Sequence, residues 1–458
     1  MRHLAVALRR LYTSDDVRVR SHHALAGRDV NPHCAGLAVK FLEQTELPLD
    51  WARGGFVGGP RMLSSRVLAV ARAGARGTTS DHAIAAATSG LLTLLVYTHA
   101  GYPLLARWLA GKQRPVNDRS SHALPSLTVV IPARNEADFI QAKLADTVAQ
   151  DYPAELLEIL VVDDASTDKT VALAEDFSQV RVLRQAMWLG KAAALNRGVA
   201  NAQGEIVVFT DANGSLIAGS LRAIVGPFAD PAVAVVGGEK RPVGGGAHGK
   251  GESMYWALES GLKKAEGKLG SVVGADGGIY AVRASTYVPL PAGIYADDYW
   301  IPLDALSRGR DVRHISEAAA VEAVSRSKRD DFERRTRIAA GIWHGSWAHR
   351  GLAHPRRGFK SVAFISHRVL RSIVVPTSLP VLAVLPLFRL EARWARLLLG
   401  TQLLCWGAAA LGAVTDASGL GAPYQFAATN AAAVRGGVRQ VLRRQSPQWM
   451  RTARGAWA

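Results

Sequence analysis

Acidic side chains gather where three apolar runs end. Residues 127–136 read Leu-Thr-Val-Val-Ile-Pro-Ala-Arg-Asn-Glu, residues 159–168 read Ile-Leu-Val-Val-Asp-Asp-Ala-Ser-Thr-Asp, and residues 205–213 read Glu-Ile-Val-Val-Phe-Thr-Asp-Ala-Asn. Each run is apolar on both faces, the pattern of a parallel strand covered by helices on both sides. In open α/β sheets the ligand sits beyond the carboxyl ends of the strands. Here those ends carry Glu136, Asp163, Asp164, Asp211 and Asn213. Acids at that edge point to a divalent cation and an activated hydroxyl, whereas a metal-free phosphate site calls for a glycine-rich loop. Asp211 and Asn213 are one residue apart, so an extended segment points both the same way. Lys191 opens a helical pattern, where a cation and free backbone N–H groups both suit phosphate. A further acid pair, Asp297-Asp298, lies downstream, and a carboxylate among other acids takes up a proton more readily. Arg334 and Arg337 are three apart, on one helical face.

Seven motifs in this order resemble the family 2 glycosyltransferases, in particular a membrane-anchored bacterial type with a GT-A nucleotide-sugar-binding domain. They are Pro-Ala-Arg-Asn-Glu136, Val-Asp-Asp-Ala-Ser166, Gly190-Lys-Ala-Ala-Ala-Leu-Asn196, Thr-Asp-Ala-Asn213, Gly274-Ala-Asp-Gly-Gly-Ile-Tyr280, Ala296-Asp-Asp298 and Arg334-Arg-Thr-Arg337. The resemblance implies an α/β fold, a Rossmann-like mixed sheet with transmembrane helices on both sides of it in sequence. It implies a nucleotide-sugar donor, a UDP-sugar above all, and Mg²⁺ or Mn²⁺. It places the donor at Pro132, Ala133, Glu136, Asp163, Asp164, Lys191, Asp211, Asp276, Arg334 and Arg337. One of Asp163 and Asp164, with Asp164 preferred, meets the base or ribose; Glu136 reaches the ribose hydroxyls. Asp276 faces the donor or acceptor sugar, and Arg337 meets the diphosphate. Asp298 is the expected base and Asp297 its helper, and a single attacking hydroxyl implies inversion at the anomeric carbon.

The chain departs from the family pattern twice. The family has Asp-x-Asp where Asp211 and Asn213 stand, so the metal site holds one charge less; magnesium tolerates this because it keeps waters and phosphates as ligands. Processive members carry Gln-x-x-Arg-Trp where this chain has Arg334 and Ile338. Loss of the aromatic platform favours one or a few sugar additions over long synthesis. The departures sustain a rival reading, an inactive scaffold in a polysaccharide synthesis or export complex. A sugar-phosphate nucleotidyltransferase is a weaker rival, because it needs a glycine-rich loop after the first strand.

Positioning these residues requires one α/β domain, expected at residues 120–350. Within it a fourth strand is expected at 232–237, a mobile glycine-rich loop at 237–251, a helix at 253–269 and another at 325–343. Residues 83–109 read as a bilayer-spanning helix, residues 360–445 as a C-terminal membrane region of two or three helices, and 446–458 as a basic tail. Prolines at 376, 380 and 386 interrupt one apolar stretch, 397–414 is a better span, and 423–434 is short enough to lie at the interface. Residues 1–80 show no sustained periodicity and read as a poorly structured extension, or as an over-long gene start ahead of Met62. No signal peptide opens the chain.

The charge balance supports this division. The chain of 458 residues is net +17 with a mean hydropathy of +0.06. Residues 1–80 are net +6, residues 356–458 net +12 and residues 81–355 net −1. The basic excess thus lies off the α/β domain, which argues against nucleic acid as a partner and suits arginines flanking membrane segments beside anionic lipid. Two cysteines, Cys34 and Cys405, make no disulfide framework. The expected setting is a bacterial inner membrane, crossed more than once, with the α/β domain cytoplasmic and a lipid-linked or polysaccharide acceptor.

Overall fold

The computed structural model describes residues 78–112 and 123–446, apart from 245, 326, 416 and 418. The expectations for the N-terminal extension and for the basic tail fall almost wholly outside the described residues.

The first helix, α1 (Thr78–Val96), passes through a wider, π-type turn at Tyr97–Gly101 into α2 (Tyr102–Gly111). Then come β1 (Leu127–Ala133), α3 (Ile140–Val148), β2 (Leu157–Asp163), α4 (Thr170–Glu175), β3 (Val180–Arg184), α5 (Lys191–Asn201) and β4 (Ile206–Phe209). Next are β5 (Gly214–Leu216), α6 (Ser220–Val225), β6 (Val233–Val243), α7 (Gly246–Lys268), β7 (Tyr280–Arg283), α8 (Asp297–Ser307), β8 (Asp311–Ala323) and α9 (Lys328–Ala348). The chain ends in α10 (Phe359–Ala363), a π-type segment (Phe364–Val374), α11 (Val375–Val384), α12 (Arg393–Val414) and α13 (Gly421–Val441).

The strands form one eight-stranded sheet in the order β3-β2-β1-β4-β7-β6-β8-β5. Strands β3, β2, β1 and β4 run parallel, β7 is antiparallel to β4 and β6, and β5 to β8. The sheet is therefore mixed, as expected. Alternate residues of β1 enter opposite layers, as the two-residue strand period requires. Val129 and Ile131 pack in one core cluster with Ile140 and Leu144 of α3. Val130 packs in the other with Ala194 and Leu195 of α5. Helix α5 lies close because residue 198 is glycine; a Cβ there would meet Val130 Cγ1 at 2.4 Å.

The stretch 237–251 is not a mobile loop. Strand β6 runs on to Val243 and α7 starts at Gly246. Two of its glycines answer a packing demand: a Cβ on Gly238 would fall 2.5 Å from Ala318 O, and one on Gly237 3.1 Å from Ala275 Cβ, whereas Gly244, with φ 85° and nothing within 4 Å, follows the end of β6 as a turn residue. The expected fourth strand and the two expected helices are present, each longer than its sequence pattern. Helix α9 starts where its chemistry says: Ser327 accepts from Asp330 N, and Asp330 and Asp331 sit in the first turn, which suits the helix dipole.

Among the described residues three helices are long and apolar enough to cross a membrane: Asp81–Gly111, Phe359–Arg389 and Arg393–Val414. The prolines at 376 and 380 do not end the second; it continues through α11. Leu397, Leu403, Leu404 and Val414 of α12 lie exposed, an outward apolar face that suits hydrocarbon. Arg389 contacts Asp81 and, at 2.9 Å, Glu391. The start of the first span thus meets the end of the second, away from the α/β domain, and the arginine of this turn is matched by acids. At the other end of α12, Lys328 Nζ donates to the carbonyls of Gly412 (2.9 Å) and Thr415 (3.0 Å).

Close approach of α9 to the acid pair rests on Gly341, where a Cβ would lie 2.6 Å from Ala296 Cβ and 3.1 Å from Ala296 N. Ordinarily Gly→Ala inside a helix gains up to about 1 kcal/mol. Overpacking against backbone costs about 1–3 kcal/mol, so the loss wins here. We expect Gly341→Ala to lower the thermal unfolding midpoint by about 2–4 °C, and Gly407→Ala, with nothing within 4 Å of its added carbon, not to lower it; differential scanning fluorimetry checks both.

Candidate active site

The strand ends place the predicted residues along one edge in two groups. In the first, at the ends of β1 and β2, tight turns fold the polar residues onto each other. Asn135 and Ala165 adopt positive φ, 54° and 58°. Asn135 N donates to Ser166 Oγ (2.9 Å), Asn135 Oδ1 accepts from Thr167 N (2.8 Å), and Asp163 accepts from Ser166 N (3.2 Å). Pro132 and Ala133 are buried strand residues below this turn. Glu136 is buried, and its N–H donates to Thr170 Oγ1 at 2.8 Å. Asp164 is fully buried and turned toward the next loop: it accepts from Gln185 Nε2 (3.0 Å), Leu189 N (2.8 Å) and Gly190 N (2.8 Å). That carboxylate therefore sets the loop that delivers Lys191. Arg134, which the sequence reading passed over, donates to Asp164 O (2.6 Å) and stacks over the Trp188 ring at 4.0 Å.

The second group holds the remaining acids. Gly190, with φ 93°, precedes α5, whose first residue is Lys191. Lys191 Nζ lies 2.9 Å from Asp211 Oδ1 and 3.2 Å from Asp297 Oδ1. Burial alone would lower the lysine's pKa, but the Asp211 and Asp297 carboxylates carry it well above the ordinary value. Asp297 also accepts from Tyr280 OH at 2.6 Å. Asp298 is next on the first turn of α8, where negative charge suits the helix N-terminus. Burial first, then the neighbouring Asp297, pushes its pKa up to about 7, against the opposing pull of Lys191. The pair is thus split, Asp297 held by a lysine and a phenol while Asp298 is poised to take a proton near neutrality.

Gly277 fits between the groups: a Cβ there would lie 3.2 Å from Asp298 Oδ2 and 3.8 Å from Asp211 Oδ2. Asp276 is buried, with Lys263 of α7 bonded to its carboxylate. Beneath Asp211, the fully buried Lys143 donates to Thr210 Oγ1 (2.9 Å), which donates to Gly278 O (2.8 Å). Burial brings that lysine down to about 8. Lys263 and Lys143 carried no motif, and only the tertiary fold shows their use.

Asp276 and Asp298 line a cavity of about 340 Å³. Arg334 and Ile338 of α9, Arg368 and Pro376 of the second apolar span, and Phe426 of α13 line it too. Arg334 is 2.8 Å from Asp331. Arg337, on the same helix, is half-buried and is not among the lining residues.

Asn213 Oδ1 is buried and accepts no hydrogen bond, beside the half-buried carboxylate of Asp211. Among the described residues no group of three or more His, Cys, Asp or Glu forms a metal cage. One carboxylate and one orphaned oxygen fit a cation that takes its other ligands from water and phosphate.

Residues 128–282 match the family model described as glycosyl transferase family 2. Among solved structures, a mannosyltransferase from Pyrobaculum calidifontis in complex with GDP-Man and Mn²⁺ is similar at a TM-score of 0.62, with 26% identity over 78% of this chain and 100% of that one. A beta-monoglucosyldiacylglycerol synthase of Synechocystis sp. is 34% identical over 120 residues, 25% of each chain. Glycosyltransferase AglE of Haloferax volcanii is 35% identical over 119 residues, 25% of this chain and 39% of that one. The chain thus spans about a quarter to two fifths of these two curated relatives.

Asp298, were it the base of the reaction, would work only when deprotonated. Turnover at low substrate is expected to fall about tenfold per pH unit below about 7 and to level off above it. Asp298→Asn should retain nucleotide binding by calorimetry, lose about 10²–10⁴-fold in rate and lose the acid limb; Asp297→Asn should cost less. Normal turnover of Asp298→Asn beside a dead Asp297→Asn moves the base to Asp297.

Proposed function

This chain belongs to glycosyl transferase family 2, and we propose that it moves a sugar from a nucleotide sugar to a lipid-linked acceptor at a membrane, with inversion at the anomeric carbon. The observation that carries the acceptor class is the cavity. It runs from Asp298 to Pro376 and Phe426, so one space touches both the proposed base and a helix apolar enough to span a bilayer. A soluble polysaccharide acceptor has no need of that apolar end. The names of the relatives support the reading in kind, since one is a synthase of a glucosylated diacylglycerol.

The nucleotide lies over the turns at Asn135 and Ser166, with the ribose toward Glu136 and Asp163. Asp164 fixes the 189–190 backbone, so that Lys191 and the N-terminus of α5 face the diphosphate. Asp211 and Asn213 would hold a Mg²⁺ or Mn²⁺ ion; when bound, it supplies a Lewis acid for the leaving diphosphate. Asp298 takes the proton of the acceptor hydroxyl. The oxygen then bonds to the anomeric carbon, and the bond from that carbon to the diphosphate breaks with its electron pair leaving on phosphate. Asp297, bound to Lys191 and Tyr280, holds α8 and keeps Asp298 aimed. Arg334 lies on the acceptor side of the site, and Arg337 completes the donor side. With Ile338 in place of an aromatic platform, one or a few additions follow.

The donor is a UDP-sugar in this reading. A GDP-linked donor is the second reading, favoured by the likeness to a mannosyltransferase in complex with GDP-Man. The setting is a bacterial inner membrane, with the α/β domain on the cytoplasmic side where nucleotide sugars are made. Membranes containing the full chain, given radiolabelled UDP- and GDP-sugars with and without Mn²⁺, test this. Label should pass to a chloroform-extractable product and resist carbonate washing with the protein. Label found only in water-soluble polymer, or the protein recovered in the soluble fraction, overturns the lipid-acceptor reading.

Asp211→Ala is expected to abolish turnover, and Asn213→Asp to tighten Mn²⁺ binding in the presence of UDP, read by electron paramagnetic resonance. Wild-type rate in Asp211→Ala without metal would remove the metal from the mechanism.

A further inference from the structure

The π-type segment Phe364–Val374 belongs to the second apolar span, yet it turns polar side chains inward, among them His367, Arg368 and Arg371. π-type windings recur at functional sites, because the extra residue re-aims side chains. His367 is almost completely buried, and each ring nitrogen faces a glutamate of α7: Nδ1 at 2.9 Å from Glu266 Oε1 and Nε2 at 3.0 Å from Glu259 Oε1. Glu266 Oε1 also accepts from Tyr102 OH of the first apolar span at 2.7 Å. Glu259 Oε2 accepts from Arg371 at 3.2 Å, and its Oε1 lies 3.4 Å from Arg368. Two membrane-length helices are thereby tied to α7 through buried, charge-assisted hydrogen bonds, the strong kind.

Arg368 carries this tie into the site. Its Nε donates to Val273 O at 2.9 Å, and a Cβ on Gly274 would meet its Nη2 at 2.9 Å. Its guanidinium lies 5.5 Å from the centre of the Tyr299 ring. Two residues along the loop, Ala275 N donates to the backbone carbonyl of Asp298 at 2.8 Å. A continuous path of short bonds therefore leads from the apolar helices through Arg368 and the Val273–Ala275 loop to the residue that takes the proton.

We propose that Arg368 is a positioning residue for Asp298, held in place by His367 between Glu259 and Glu266, so that seating of the two apolar helices sets the catalytic geometry. This rests on the reading of Asp298 as the base. A displacement of about 1 Å in a reacting group costs roughly 10²-fold in rate, and the Val273–Ala275 loop adds a hold on the Asp298 backbone from outside α8.

The test uses the full chain in lipid nanodiscs, with UDP-glucose or GDP-mannose, whichever supports turnover, and with UDP or GDP binding read by calorimetry. Arg368→Gln should lower kcat about 10²-fold, leave nucleotide affinity within about twofold, and displace the acid limb of the pH profile. Arg368→Lys, which keeps one donor for Val273 O, should recover part of the rate. Because Arg368 acts through Asp298, the double variant with Asp298→Asn should be no slower than Asp298→Asn alone. A normal kcat and acid limb in Arg368→Gln, or additive losses in the double variant, overturns the proposal while leaving the base assignment standing. Full activity of Asp298→Asn removes the base assignment, and the positioning role with it. If Arg368→Gln does not fold, His367→Gln carries the same test: it should lose about tenfold in kcat and show the same non-additivity, and additive behaviour counts against the proposal.

Discussion

Asp211, Asp276, Asp297 and Asp298 share one end of the sheet, and their mutual repulsion is offset by two lysines drawn out of water. Unit charges about 4 Å apart interact by about 4 kcal/mol at an effective dielectric constant of about 20, so such a group of acids does not stay ionised unaided. Lys191 sits between Asp211 and Asp297, and Lys263 holds Asp276. For Asp298, burial and the repulsion of Asp297 outweigh the pull of Lys191 and Lys263, and its pKa rises to about 7. The arrangement of charge thus separates the acids: three are paired directly with a lysine, and the fourth carries the raised proton affinity.

Much of the surrounding fold serves to bring those charges within reach. Lys191 arrives on α5, whose entry is fixed by Asp164. The Asp297–Asp298 turn is pressed by α9, whose glycine at 341 lets it reach Ala296. On the far side of α9, a Cβ on Gly436 of α13 would fall 2.5 Å from Thr336 O. Small residues therefore stack α8, α9 and α13 into one tight layer. A cavity of about 340 Å³ lies between that layer and the apolar helices, lined by side chains of both.

The apolar helices impose a different constraint. Backbone hydrogen bonds closed within a helix suit hydrocarbon, and the second apolar segment stays helical across Pro376 and Pro380. Polar side chains on it turn inward, and at His367, Arg368 and Arg371 they meet acids of the α/β domain. The same bonds that satisfy buried charge also join the apolar helices to the α/β domain.

By itself the sequence determined the sheet, the acid edge and the apolar spans. Strand runs such as residues 159–162 are apolar on both faces, which marks a covered parallel strand; spacing did less for the site, because Ala212 and Asn213 lie in a turn and Arg334 lines the cavity while Arg337 does not. Local pattern misread residues 237–251 as one loop: Ala275 and Ala318 pack against Gly237 and Gly238 inside β6, while Gly244, with nothing within 4 Å, does turn the chain. Tertiary structure alone decided which cations meet the acids. Lys191 and Lys263 lie 20 and 13 residues from Asp211 and Asp276 in sequence, and nothing in the composition of the Lys263 helix hints at a site. It also decided that Asp164 turns toward the 189–190 backbone, that Arg334 rather than Arg337 lines the cavity, and that Arg368 grips the loop behind Asp298. Each of these depends on the distance between elements far apart in the chain, and that distance is set by packing, which no local spacing encodes.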